Sequence, residues 1–336
     1  MKLRQLCLLL TGFYVMHAAP TAFGGTKLTP LKSLNEKQFS FLRPALEASF
    51  GFRLNPGVNC TGTFISDNGH FITALHCISA CLRKIGALER EPAFPGRISL
   101  RPTYKVSVDE LFLKSNPVCK GKLGDKEVDV VVIATGGKGW LEPRNGLAAL
   151  SKASPDDYKE LVDDGFEHGA DYAVLQIPGL KPKACLPLTD NEIADGEILH
   201  AVSYPCVKRN GVQYTGGTPL YTSGAKTGSF KESAYYKKLG SSKIEFHVDS
   251  VERHETFFSD LDIEKCGSGT AVFDENLNIV GIATRVYKTS TKYETGALES
   301  IRSSHILKEL KNKRPADLKS ITSCSAPSAP TSLVSR

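Results

Sequence analysis

The sequence predicts an all-β fold of closed antiparallel barrels. Short runs rich in β-branched and aromatic residues recur along the 336 residues, turns containing Gly, Pro and Asn separate them, and long stretches of helical periodicity are few. That pattern favours barrels over an alternating βαβ sheet. Closure also removes the unpaired strand edges on which a β-rich chain would aggregate.

The strands expected in chain order begin with Ala48–Leu54, Cys60–Ser66 and His70–Ala74. Asn55-Pro56-Gly57 and Asp67-Asn68-Gly69 separate these three, and the second reads as a hairpin turn because Asn and Gly accept positive φ. Further strands are expected at Gly96–Leu100, Tyr104–Leu113, Glu127–Ala134, Tyr172–Ile177, Ile198–Tyr204, Lys243–Val248, Thr270–Phe273 and Ile279–Tyr287. A helix is expected where Ser154-Pro155-Asp156-Asp157 supplies a cap, a first-turn proline and first-turn acids ahead of Tyr158, Leu161 and Val162. It falls within Asn116–His168, a glycine-containing stretch that reads as an insertion between strands. A C-terminal helix near Ser300–Asn312 places Ile301, Ile306 and Leu310 on one side. Beyond Arg314 the chain turns to Ser, Pro and Ala and reads as a loose tail anchored at Cys324.

The N-terminus has its own signature. Lys2 and Arg4 precede the apolar run Leu6–Val15, and small residues Ala18, Ala19 and Ala22 follow. This is the pattern of a secretion signal cut near residues 18 to 24, with an apolar run too short to span a bilayer. Lys27–Pro44 is polar and mixed, and reads as an arm laid over the body. Hydrophobic residues at 41% and charged residues at 23% are ordinary for a globular chain. The net charge of +6 is spread without a basic block or interleaved aromatics, so nucleic acid is not an expected partner. No later stretch is apolar enough for an integral membrane segment. Removing Cys7 with the signal leaves Cys60, Cys77, Cys81, Cys119, Cys185, Cys206, Cys266 and Cys324, an even set that favours disulfides in an exported chain. His76, Cys77 and Cys81 lie close together in the sequence, the proximity a metal site requires. No CxxC pair accompanies them, and an oxidising compartment removes the thiolates. No nucleotide loop or dinucleotide glycine motif is present either, so no cofactor is implied.

Three segments can carry chemistry. His76, in Phe71-Ile72-Thr73-Ala74-Leu75-His76-Cys77, stands where a strand stops, rigid enough to hold a base and open enough to meet a substrate. Asp171 opens Asp171-Tyr172-Ala173-Val174-Leu175, where a carboxylate can accept the second ring N–H of a neighbouring histidine. Asp129, before Val130-Val131-Val132-Ile133, offers the same local pattern and is its rival. Ser268 lies between Gly267 and Gly269, which permit a tight turn whose N–H groups can converge on an oxyanion. The order His, Asp, Ser is spaced to put the first two on one barrel and the serine on the other.

The chain resembles the chymotrypsin-like serine peptidases, especially bacterial secreted members. The resemblance rests on Cys60-Thr61-Gly62-Thr63-Phe64-Ile65 with Thr73-Ala74-Leu75-His76-Cys77, on Asp171-Tyr172-Ala173-Val174-Leu175, and on Gly267-Ser268-Gly269-Thr270-Ala271-Val272-Phe273 with Ile279-Val280-Gly281-Ile282. It implies two antiparallel six-stranded barrels packed at a catalytic cleft, with a C-terminal helix. It also implies a serine endopeptidase acting on proteins or peptides through an acyl-enzyme, secreted or periplasmic. On this resemblance residues 1–22 are the signal, 23–45 the arm, 46–312 the peptidase domain with an insertion at about 116–168, and 313–336 a low-complexity tail. The catalytic triad implied is His76, Asp171 and Ser268. The N–H groups of Cys266 and Ser268 form the implied oxyanion hole, Thr284–Val286 the edge that pairs with substrate, and Cys60–Cys77 a disulfide. Asp262 and Thr284 are candidates for the side-chain pocket.

Two departures stand out. Cys266 occupies a position usually held by glycine, which raises the alternative of a catalytically weak or inactive protease-fold binding protein. Gly267 replaces the aspartate that in digestive members receives a new N-terminal amine. Cys206 belongs to the loop expected beside the oxyanion turn, which proposes Cys206–Cys266. By elimination the four remaining cysteines pair as Cys81–Cys119 and Cys185–Cys324, a connectivity that the sequence leaves open, as it does the oligomeric state.

Overall fold

A computed structural model of the chain describes residues 28–54, 59–85, 88–90, 103–106, 116–136, 139–141, 171–209, 212–227, 233–239, 243–249, 255–287 and 297–325. The signal, the strand at 96–100, the helix near 154–162 and the end of the tail lie outside the described residues. The barrel strands and helices run β1 (Thr29–Pro30), α1 (Glu36–Ala48), β2 (Ser49–Leu54), β3 (Asn59–Phe64), β4 (His70–Thr73), α2 (Ser79–Lys84), β5 (Val118–Leu123), β6 (Lys126–Thr135) and β7 (Ala173–Gln176). They continue with β8 (Ile198–Ser203), β9 (Leu220–Thr227), β10 (Thr256–Ser259), β11 (Ala271–Phe273), β12 (Ile279–Tyr287), β13 (Ala297–Arg302), α3 (Ser303–Lys313) and α4 (Leu318–Thr322).

The architecture is two closed six-stranded antiparallel barrels. The first closes in the order β7-β4-β3-β2-β5-β6, and the second in the order β9-β8-β11-β12-β13-β10 with β1 added along the outside of β9. Phe52, Phe64, Phe71, Val132 and Leu175 fill the first barrel, and Leu199, Phe257, Leu261, Val272 and Leu298 the second. A third cluster joins the two barrels: Ile72, Val174, Val202, Phe273 and Ile282 pack with helix residues Phe41, Leu42, Ala45, Ile306 and Leu310. Each fully buried side chain of this size stabilises the fold by about 1.5–3 kcal/mol.

The N-terminal arm is a correction. Residues 36–48 form a helix whose Phe41, Leu42, Ala45 and Ala48 are buried between the barrels. Asn35 starts it with a capping box, its side chain accepting the Gln38 N–H at 2.8 Å while the Gln38 side chain accepts the Asn35 N–H at 3.2 Å. Pro44 lies inside the helix and marks no boundary. Four barrel strands were also unforeseen, among them Thr256–Ser259 and Ala297–Arg302, the second of which takes Ser300 and Ile301 from the expected C-terminal helix. Val118–Leu123, assigned from sequence to the insertion, pairs with β2 and β6 and belongs to the first barrel. Leu220–Thr227 runs through the second barrel, although its Ser223, Gly224 and Ala225 have little strand propensity. Gly224 is required there because a Cβ would collide with the Asp260 side chain. The expected strand at Lys243–Val248 does form, but among the described residues it pairs only with Ser233–Leu239, as a hairpin separate from the barrel sheets.

The C-terminus straps the second barrel to the first. The Tyr172 hydroxyl donates to Glu309 at 2.7 Å, Lys313 donates to the Thr135 carbonyl at 2.9 Å and Arg314 to the Ile133 carbonyl at 3.1 Å. Residues 315–325 are therefore not loose: α4 buries Ile321, Cys324 is bonded to Cys185, and the Ser325 hydroxyl donates to Asp67 at 2.7 Å.

His200 gives the fold an acid-sensitive point. It is buried on β8 with its Nδ1 at 2.8 Å from the Tyr221 hydroxyl and the Phe41 ring edge-on at 5.1 Å, while its Nε2 has no partner among the described residues. Burial pushes its pKa down to about 4, against the weaker opposing influence of Asp274. The unfolded chain therefore takes up a proton near pH 6.5 that the folded chain refuses until pH 4, so this contribution is complete above 6.5 and is lost as pH falls from 6.5 towards 4. The full difference amounts to about 3 kcal/mol. Thermal melts from pH 7 to pH 4 should show His200→Gln losing less stability on acidification than the unmodified protein. Parallel curves would refute the assignment.

Candidate active site

His76 stands in the turn that ends β4. Ala74 opens a tight helical turn over Leu75–Cys77, the Cys77 N–H donates to the Ala74 carbonyl at 3.1 Å, and Cys77 is bonded to Cys60 of β3. The disulfide fastens both ends of the β3–β4 hairpin region directly beside the imidazole. Asp171 lies just before β7, which pairs with β4, so the sheet register brings the two side chains together. His76 Nδ1 is 2.7 Å from Asp171 Oδ2, and the His76 backbone N–H donates to Asp171 Oδ1 at 2.9 Å. Both carboxylate oxygens are thus committed to one residue. An ionised carboxylate only accepts, so Nδ1 carries the proton and Nε2 is left as the basic nitrogen. Asp171 is 6% exposed, so the carboxylate end of the pair is buried while His76 stays partly open to solvent. The rival Asp129 sits on β6 with an exposed side chain paired to Lys120 at 2.5 Å. The structure brings Asp171, and not Asp129, to the histidine.

Ser268 is carried on the turn before β11. The Gly267 N–H donates to Glu264 at 2.8 Å, that of Gly269 to Ala283 at 2.8 Å and that of Thr270 to Gly267 at 3.1 Å. Among the described residues the N–H groups of Cys266 and Ser268 donate to no protein acceptor. Cys266 adopts φ 69°, a left-handed conformation that is rare outside glycine. It is bonded to Cys206, whose own N–H donates to the Lys265 carbonyl at 2.7 Å. The loop after β8 therefore grips the turn both covalently and by a hydrogen bond. Gly267 leaves no room for a side chain, since a Cβ there would lie 2.6 Å from both Ile263 Cγ2 and Ser203 Oγ. An acid at this position is excluded by packing as well as absent from the sequence.

The first barrel docks onto this turn through Thr61, which the sequence reading did not single out. Its N–H donates to the Ser268 carbonyl at 3.0 Å, its hydroxyl donates to the Cys266 carbonyl at 3.3 Å, and the same oxygen accepts the Tyr204 N–H at 3.1 Å. The Ser268 carbonyl is also 3.7 Å from Cys77 Sγ, which sets the serine's backbone beside the residue that follows His76. Gly269, at φ 84°, completes the approach: a Cβ there would strike Thr73, the Thr61 carbonyl and the Ala74 nitrogen. The only sequence signal for Thr61 was its place after Cys60. The Tyr204 hydroxyl, pushed up to about 12 by burial, donates to the Ser49 carbonyl at 2.8 Å and ties the barrels together again.

The remaining candidates fall as follows. Thr284 is buried on β12 where the pairing with β13 shifts register between Ala283 and Arg285, and its hydroxyl donates to the Glu299 carbonyl at 3.3 Å. Asp262 has Oδ2 accepting the Leu28 N–H at 2.9 Å, an N-terminal contact that nothing in the sequence announced. The four disulfides are Cys60–Cys77, Cys81–Cys119, Cys185–Cys324 and Cys206–Cys266. Cys60 and Cys77, which cluster with His76, are joined to each other and present no thiolate for a metal.

The family model described as a trypsin-like peptidase domain matches residues 60–282, well over half of the chain. The chain belongs to that family. Among solved structures it is similar to the Rv3671c protease in an inactive form, at 14% identity and a TM-score of 0.44, covering 86% of this chain and 98% of that one. A serine-to-alanine mutant of Rv3671c from M. tuberculosis H37Rv, also an inactive form, is 13% identical with a TM-score of 0.45, covering 88% of this chain and 98% of that one. Deg5 is 15% identical with a TM-score of 0.40, covering 82% of this chain and 94% of that one. No curated protein sequence matches the chain.

Proposed function

We propose that the protein is a serine endopeptidase that cleaves protein or peptide substrates through an acyl-enzyme. The observation that carries this reading is the His76–Asp171 pair, with both carboxylate oxygens bonded to the histidine, together with a serine turn whose Cys266 and Ser268 N–H groups have no protein acceptor among the described residues. Ser268 Oγ attacks the scissile carbonyl as His76 Nε2 takes its proton. Asp171 stabilises the imidazolium, and the proton then passes to the leaving amine. The two N–H groups receive the negative charge that develops on the carbonyl oxygen. Water deacylates the enzyme by the same path in reverse order.

The alternative, a protease-fold binding protein, arose from Cys266 in place of glycine. The left-handed backbone at Cys266 supports the active reading, because the cysteine holds the conformation for which glycine is otherwise chosen. Four disulfides and the signal-like start support a secreted or periplasmic site of action. Among the described residues no helix is long and apolar enough to cross a membrane.

Exposure of the oxidised protein to peptidyl phosphonates, followed by intact mass and peptide mapping, should add one phosphonyl group at Ser268. Folded protein that takes up no adduct from a varied set of peptide warheads would sink the proposal.

A further inference from the structure

We propose that Asp262 is a positioning residue, held by the N-terminal strand, which sets the Ser268 turn for every substrate alike and does not select basic side chains. The proposal rests on the serine-peptidase reading above.

Asp262 is tied down at both ends. Its Oδ2 accepts the Leu28 N–H at 2.9 Å, and its own N–H donates to the Thr222 hydroxyl on β9 at 3.2 Å. Leu28 is buried, and the next two residues pair with the same strand, Thr29 opposite Tyr221 and Pro30 opposite Leu220. The carboxylate therefore closes a ring made of the N-terminal strand, β9 and the approach to the serine. A neighbouring pair reinforces it: Asp260 Oδ1 accepts the Ala225 N–H at 2.6 Å, and the Asp260 N–H donates to the Ala225 carbonyl at 3.2 Å.

From Asp262 the restraint passes to the catalytic turn with no slack residue between. Leu261 and Ile263 are buried on either side of the aspartate. Ile263 Cγ2 fills the space that a side chain at Gly267 would need. Glu264 then receives the Gly267 N–H, and Lys265 receives the N–H of Cys206, the disulfide partner of Cys266. A shift of Asp262 thus displaces Ile263 into Gly267, between the two residues whose N–H groups face the developing oxyanion. An acid that selected a cationic side chain would instead hold its oxygens towards the substrate, and here one oxygen is given to a backbone N–H.

The test compares Asp262→Ala, Asp262→Asn and Leu28→Pro, the last removing the donor N–H while keeping the carboxylate. Each is assayed in the full chain on peptides with Arg, Lys, Leu, Phe or Ala before the scissile bond, alongside the rate of Ser268 phosphonylation and a thermal melt. A fully misplaced reacting group costs about 10²-fold, so partial release of the turn should lower kcat about tenfold on all five peptides in Asp262→Ala, with KM changed less than about threefold. Leu28→Pro should lower kcat equally, the double variant should be no worse than either single one, and Asp262→Asn, which keeps an acceptor oxygen, should recover most of the loss. A loss confined to the Arg and Lys peptides, shared by Asp262→Asn, would make Asp262 the pocket acid and overturn the proposal. Undiminished kcat in Asp262→Ala would overturn it as well. An unmodified protein with neither turnover nor phosphonate adduct would overturn the peptidase reading and this proposal together.

Discussion

Asp171→Asn should lower kcat by about 10⁴-fold while leaving the melting temperature within a few degrees, because the amide cannot satisfy both donors that the carboxylate satisfies. If the amide oxygen keeps the His76 backbone N–H, now accepted by Oδ1 at 2.9 Å, the NH2 group faces Nδ1 across the 2.7 Å contact. Nδ1 must then become an acceptor. The ring proton moves to Nε2, which can no longer take the proton of Ser268. If the amide flips, two donors oppose each other at the His76 N–H and the histidine turn is pushed out of place. Either arrangement removes the base while the strand pairing of β7 with β4 and β6 keeps the barrel closed. Asp129→Asn is the control. Its side chain is exposed and pairs with Lys120, so the substitution should leave kcat/KM unchanged. Equal losses from the two variants, or a loss only in Asp129→Asn, would show that the histidine is oriented by something other than Asp171.

The turns that carry His76, Asp171 and Ser268 were more legible in the sequence than several elements of the scaffold around them, and the reason is physical. His76, Asp171 and Ser268 each stand at the edge of a strand in a short segment whose glycines, cysteines and apolar runs restrict the backbone strongly, so local residues announce the local structure. Residues 36–48 lacked that clarity: Pro44 reads as a break, yet the helix accommodates it because Asn35 caps the start and Phe41, Leu42 and Ala45 are buried between the barrels. Tertiary burial outweighed the proline. Leu220–Thr227 was missed for the opposite reason, since Gly224 and Ala225 depress strand propensity and are explained only by the close approach of Asp260. Thr61 and Asp262 illustrate a third limit. Their partners, Ser268 and Cys266 for the one and Leu28 for the other, lie some 200 residues away in the chain, and single-residue patterns carry no information about contacts at that separation.

Breaking the Cys206–Cys266 bond should cost activity far more than it costs the fold. Cys206→Ala is expected to lower kcat by about 10²-fold, the lower end of the loss that follows removal of one oxyanion donor. With φ at 69°, Cys266 occupies a backbone region that costs a non-glycine residue about 1–2 kcal/mol, and once the covalent restraint is gone that cost favours relaxation of the turn. Relaxation turns the Cys266 N–H away from the oxyanion position. The hydrogen bonds from the Thr61 N–H to Ser268 and from Gly269 to Ala283 do not run through the disulfide, so the serine itself stays anchored. Substrate should therefore still bind, and kcat should fall more than KM rises. Adding Cys266→Gly to Cys206→Ala should restore most of the turnover, because glycine adopts positive φ without the penalty and needs no disulfide to stay there. Stopped-time assays of the single and double variants, with phosphonylation rates measured on the same samples, decide the matter. Full activity in Cys206→Ala would mean that the hydrogen bonds and packing of the turn hold Cys266 in place without the disulfide. A double variant no better than the single one would mean that the disulfide acts on the loop after β8 and not on the conformation of Cys266.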